Sequence, residues 1–338
     1  METLKTIFKD EKVARQVFNA AKRALKKRSA SDATASAPAP KKAKATYGQP
    51  LSGADFETSL ALPESELDEE ILKSTILYTN RAPLVLAFAV TLIKYTMPKQ
   101  PISSRLSLAQ AVTSMNSKIK ATYIGVDSGT PAEEEGWGEG QPLIRIMTRD
   151  VRVMKRWGYE WEGSDEATQS TTKSSPDTLG EEIPKEPALW GVDLEALKKA
   201  NQPGAPRSSK GGSSDLPIYT AQSARAYLMK AFESPPVEVI KEEEIKTEEG
   251  VATKAKAKAK RTAAVIVAER ARNLGLLLGA LELLYESWAQ VLSKEDLDKR
   301  AWGWYVRVRP DVAQGAAGWG GKGNVKLSDI LDLQRPAD

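Results

Sequence analysis

The sequence predicts an α+β fold rich in helix, with long disordered linkers, and three observations carry that prediction. Apolar residues recur at helical spacing in several segments, short β-branched runs lie between them, and stretches rich in Ser, Thr, Pro, Gly or charge separate the two. With 41% hydrophobic residues the 338-residue chain has material for a core, while 28% charged residues imply much solvated chain. The expected arrangement is an interrupted N-terminal core followed by a C-terminal helical module.

Residues 1–28 place Leu4, Ile7, Phe8, Val13, Val17, Phe18, Ala21 and Leu25 close to a 3.6 period, which predicts an amphipathic basic helix. From 29 to 65 the periodicity gives way to Ser, Ala, Thr and Pro, the composition of a disordered linker. Residues 1–50 hold twelve Lys/Arg against four Asp/Glu, and 51–70 hold seven acids and no base. Opposite charge blocks therefore adjoin.

An α+β core is expected over 66–233. It opens near Leu67 with a β-rich run at 75–79, then Asn80 as a cap and Pro83 in a permitted first-turn position of a helix buried on most sides through Leu84, Phe88 and Leu92. Leu108, Val112, Met115 and Ile119 predict a second, amphipathic helix. Residues 143–147 read as a strand; 148–157 fit either a returning strand or a short helix ended by Gly158. Disordered insertions are expected near 163–186 and 201–215, with short helices within "LWGVDLEALKKA" and "SARAYLMKAFES" completing the core between and after them. A charged linker follows at 234–257.

The C-terminal module, 258–338, begins with the longest helical pattern of the chain, carrying Val267, Leu274, Leu277, Leu278, Leu281, Leu284 and Trp288 on a broad face. Gly275 and Gly279, at i and i+4, would admit a second helix at close range. Alternation at 304–309 predicts a strand with Trp304, Val306 and Val308 on one side and Tyr305, Arg307 and Arg309 on the other. A Trp/Gly-rich loop and a short terminal helix complete the pattern.

The absence of Cys and His removes disulfides, thiol nucleophiles, Cys/His zinc sites and imidazole bases, and no cofactor is expected. The longest apolar run, 82–93, is shorter than the ~20 residues of a membrane span, so no membrane association is expected. The N-terminal stretch has no apolar core of a secretory signal. Two basic clusters, Lys26-Lys27-Arg28 and Lys41-Lys42-Ala43-Lys44, stand either side of a small-residue spacer. That is the pattern of a bipartite nuclear import signal, in which an extended peptide reaches two pockets on a carrier at once. Ile240-Lys241-Glu242-Glu243 and Ile245-Lys246-Thr247-Glu248 repeat the acceptor pattern for SUMO conjugation, with Lys241 and Lys246 as nucleophiles.

Tyr305, Arg307 and Arg309, with Lys299 and Arg300 before them and Lys322 after, form a candidate nucleic-acid platform of one stacking ring among phosphate-binding cations. Arg145, Arg149, Arg152, Lys155 and Arg156 beside Trp157 make a second basic cluster, which would instead pair with the acids of 51–70 if it serves the fold. Glu133, Glu134, Glu135 and Glu139, among glycines in 133–142, offer oxygen ligands for a divalent cation. The leading expectation is a non-enzymatic nuclear factor associated with DNA, RNA or chromatin, an adaptor among other subunits of an assembly, its linker modified by the SUMO-conjugating machinery. The alternatives are a metal-dependent enzyme using the 133–142 loop on a phosphate-containing substrate, and a pure protein scaffold.

Overall fold

Ser52 and Asp68 each start a helix by turning a side-chain oxygen onto backbone N–H groups that the first turn leaves unpaired. Ser52 caps α1 (Gly53–Ser59) through the Asp55 N–H, and Asp68 caps α2 (Glu69–Ser74) through those of Glu70 and Ile71. The acidic run is therefore folded from Gly53 onward, which corrects a linker reaching 65 and a core opening near Leu67. Phe56, Leu60 and Leu62 supply the apolar contacts that make the difference: Leu60 is buried and the other two pack on the core. The computed structural model describes residues 52–161, 186–201, 217–236 and 262–336, all in the compact unit Leu51–Asp338. The expected N-terminal helix at 1–28, the insertions near 163–186 and 201–215 and the linker at 234–257 lie outside these residues but for a few at their edges.

Strand β1 (Ile76–Asn80) leads directly into α3 (Arg81–Thr96), whose residues Pro83 to Ile93 are all buried. A helix apolar on every side belongs at the centre of a core. Asn80 begins this helix without a side-chain cap, because it remains in the strand ladder. Helix α4 (Ile102–Tyr123) packs on α3 and buries Leu106, Leu108 and Val112, together with Ser103, Ser104 and Ser107. Those serines have partners. Ser104 Oγ accepts from the Leu189 N–H at 3.2 Å and Ser107 Oγ from the Gly191 N–H at 3.0 Å, so the helix satisfies a strand edge laid across it.

That strand is β4 (Ala188–Gly191), which precedes α5 (Leu194–Ala200) where one short helix was expected. It closes the antiparallel sheet β2-β3-β4, with β2 (Leu143–Ile146) and β3 (Arg149–Arg156) joined by a tight hairpin. The ambiguous stretch at 148–157 is thus a strand, and Gly158 follows it at φ 71°. Helix α6 (Ala221–Ala231) falls where its pattern placed it.

Helices α7 (Ala263–Ala289) and α8 (Lys294–Val308) bring the C-terminal segment into the same core. Tyr285 is fully buried, donates from its hydroxyl to Phe88 O at 3.2 Å, and meets Phe88 and Trp304 edge-on. Strand β5 (Lys322–Lys326) pairs antiparallel with β1 from Ile76↔Lys326 to Asn80↔Lys322, and α9 (Leu327–Leu331) follows it. The boundary between an N-terminal core and a separate C-terminal module therefore does not divide the fold. One cluster of buried side chains runs from Leu60 to Leu331. Gly275 and Gly279 do permit a close approach, but of extended chain: the Glu66 N–H donates to Gly275 O, and a Cβ on Gly279 would stand 1.6 Å from Glu66 O.

Candidate functional site

Of residues 304–309, expected as a strand, 304–308 are the end of α8 and Arg309 is its extended cap. Ser293 caps the helix through the Asp296 N–H, Glu295 and Asp296 lie in its first turn where the dipole favours acids, and Arg307 lies in its last, where it favours cations. The helical period turns Leu297, Asp298, Ala301, Trp304, Tyr305 and Val308 inward. Tyr305 is consequently buried, edge-on to Phe88, and burial pushes its hydroxyl pKa up. A ring in that position cannot stack on a base. Alternation placed it outward only because Trp304 and Val308 satisfy a strand's period and a helix's equally well over so short a window.

The outward face of α8 retains the expected cations. Lys299, Arg300, Gly303, Val306 and Arg307 are exposed, and Arg309 follows. Lys299 pairs loosely with Asp296 at 3.4 Å on the surface, and Arg300 lies over the Trp288 ring at 4.5 Å. Neither the Arg307 nor the Arg309 guanidinium has an ion pair or hydrogen bond among the described residues. Lys322 does not join them: it bonds Glu233 at 2.8 Å, and Glu233 also holds Arg270. Those two cations keep the Glu233 carboxyl below the usual carboxylate range, the Lys322 hydrogen bond most of all.

The second basic cluster lies mostly on its own neighbours. Arg149 Nε donates to Asn116 Oδ1 at 3.0 Å, Arg152 Nη1 donates to Gln141 O at 3.2 Å, and Arg156 is held between the Tyr159 ring at 3.6 Å and the Trp190 ring at 4.4 Å. Among the acids of 51–70 expected as its partners, Glu57 instead accepts from Ser103 and Tyr159. Lys26, Lys27, Arg28, Lys41, Lys42, Lys44, Lys241 and Lys246 lie outside the described residues.

A cavity of about 270 Å³ lies between α4, β3, the start of α5 and the loop at 131–134. Met115, Ile119, Val151 and Leu194 form its apolar walls. Its polar wall begins with Lys118, which bonds Asp127 at 2.7 Å and lies 3.8 Å from Glu195. The hydrogen bond that Lys118 donates to Asp127 raises the Lys118 pKa. Glu195 accepts from the Ala132 N–H at 2.9 Å, and Tyr219, its pKa raised by burial and then by the charge of Asp193, closes one end. Glu133 and Glu134 also line it, so half of the acidic loop faces this space. Glu135 is committed to Lys198 at 2.6 Å and to the Trp137 indole. Among the described residues no group of three or more Asp or Glu gathers closely enough to hold a metal ion, and the four glutamates do not converge as a ligand set.

The cavity was not legible in the sequence. Its walls come from five separated segments, and the one signal was the acidic loop. No helix among the described residues is long and apolar enough to cross a membrane. No protein-family model, no curated protein and no solved structure matches the chain.

Proposed function

We propose that the chain is a non-enzymatic nuclear factor that associates with DNA, RNA or chromatin and works as an adaptor inside a larger assembly. The observation that carries this reading is the outward face of α8, where Lys299, Arg300 and Arg307 surround Gly303 and Arg309 follows. A Cβ on Gly303 would have nothing within 4 Å, so the centre of the face is bare and a phosphate backbone can approach the helix closely. Such a face neutralises phosphates without reading bases, which is adaptor-like binding. The paired clusters at 26–28 and 41–44 support a nuclear address through an import carrier. Lys241 and Lys246 support regulation by the SUMO-conjugating machinery.

The test uses the full chain and a fluorescent DNA duplex across several salt concentrations. Four neutralised phosphates give a log–log salt slope of roughly −3.6. Arg307→Ala with Arg309→Ala flattens it by about two contacts' worth, while Tyr305→Phe leaves binding unchanged because the ring is buried. Absence of binding at low salt, or a slope indifferent to the arginine pair, overturns the reading.

A further inference from the structure

The charged groups around the cavity are accounted for, with two exceptions. Lys118 is held by Asp127 and Glu195, Asp193 caps α5 through the Ala196 N–H, and Glu134 is exposed to water. Arg152 spends Nη1 on Gln141 O, but its Nε is buried with no acceptor. The carboxylate of half-buried Glu133 has no ion pair or hydrogen bond among the described residues. These two side chains line the same cavity without closing into an ion pair, and they leave one donor and one acceptor unmet.

The missing partner must therefore offer an acceptor to Arg152 and a donor to Glu133. It should also carry no net charge, because an anion meets Glu133, Asp193 and Glu195, and a cation meets Arg152 and Lys118. At about 270 Å³ the space falls just under the range of roughly 300–1,000 Å³ typical of drug-sized ligands, so the occupant is about one ring in size. Met115, Ile119, Val151 and Leu194 supply the apolar surface for the faces of that ring. We propose that this cavity binds a small uncharged lactam, a cyclic amide of nucleobase size, whose carbonyl accepts from Arg152 and whose neighbouring ring N–H donates to Glu133.

A carboxylate that burial holds above its usual range fits this role, since a donated hydrogen bond restores its ionised form. The proposal is independent of the basic face of α8, and the two share no residue. Uracil, hypoxanthine and 2-piperidone are titrated into the full chain by calorimetry and saturation-transfer NMR, beside their N-methylated counterparts, benzoate and benzylamine. The free N–H lactams bind, and methylation of the ring nitrogen weakens them at least about tenfold, because a site built to accept that hydrogen is then left unpaired. Arg152→Met and Glu133→Ala each weaken binding by a similar factor, read on variants whose thermal melts match the wild type. The methylated ligands keep the test decisive if a variant fails to fold. Equal binding with and without the N–H, stronger binding of benzoate or benzylamine, or no lactam binding at millimolar concentration overturns the proposal.

Discussion

Met147 and Thr148 turn the β2–β3 hairpin with φ of 49° and 65°, a region that residues with a Cβ avoid and that a β-branched side chain finds hardest. What holds them there is Asp298 of α8, buried, whose two carboxylate oxygens accept from the Met147 N–H at 2.5 Å and the Thr148 N–H at 2.8 Å. This single side chain fastens the sheet to the C-terminal helices. Asp298→Ala leaves two backbone donors without acceptors and should cost about 2–4 kcal/mol in chemical denaturation, at about 1–3 per unmet buried group with partial relief by water. Thr148→Gly should stabilise by about 0.5–1 kcal/mol, since glycine adopts the turn without strain but adds freedom to the unfolded chain. A neutral Asp298→Ala, or a Thr148→Gly that lowers the midpoint, would contradict this account of the turn.

Two glycines in helices show how an element's neighbours decide what its sequence means. Gly279 in α7 faces the backbone of Glu66 at a distance no Cβ tolerates, whereas Gly303 in α8 faces open space. Propensity alone treats the two alike, each less favourable than alanine by about 0.8–1 kcal/mol in a helix interior. Packing separates them. Gly279→Ala should destabilise by about 1–3 kcal/mol or more through displacement of the extended chain at 60–67, and Gly303→Ala should stabilise by up to about 1 kcal/mol. Thermal melts of the pair therefore move in opposite directions. The i, i+4 glycine spacing predicted a close approach but not its partner, because a groove in a helix accepts a strand-like segment as readily as another helix.

At the scale of the whole molecule, the first strand among the described residues pairs with the last, and Tyr285 of α7 reaches Phe88 of α3 in the interior. Separated from residues 52–236, the C-terminal segment would expose Leu277, Leu281, Leu284 and Tyr285 and leave β5 without a partner. A fragment of residues 258–338 should therefore lack cooperative thermal unfolding, and show protected amides only when mixed with the complementary fragment. A sharp independent melt of 258–338 would restore the two-domain reading.

The helix-rich α+β class, the buried helix α3 and the positions of α4, α6 and α7 were determined by the sequence alone. Side-chain period is a local property, and long apolar patterns identify an element whatever it packs against. Short windows lacked that security. Over 304–309 two periods bury the same Trp304 and Val308, and Ala301 and Leu297, one and two turns earlier, had to be seen packing inward before Tyr305 moved from the surface to the core. The union of both halves in one core, Asp298 reaching a hairpin in β-sheet context, and a cavity walled by five segments were decided only in the tertiary structure. Each depends on which distant surfaces meet, and the free energy of that choice belongs to pairs of elements rather than to either one's sequence.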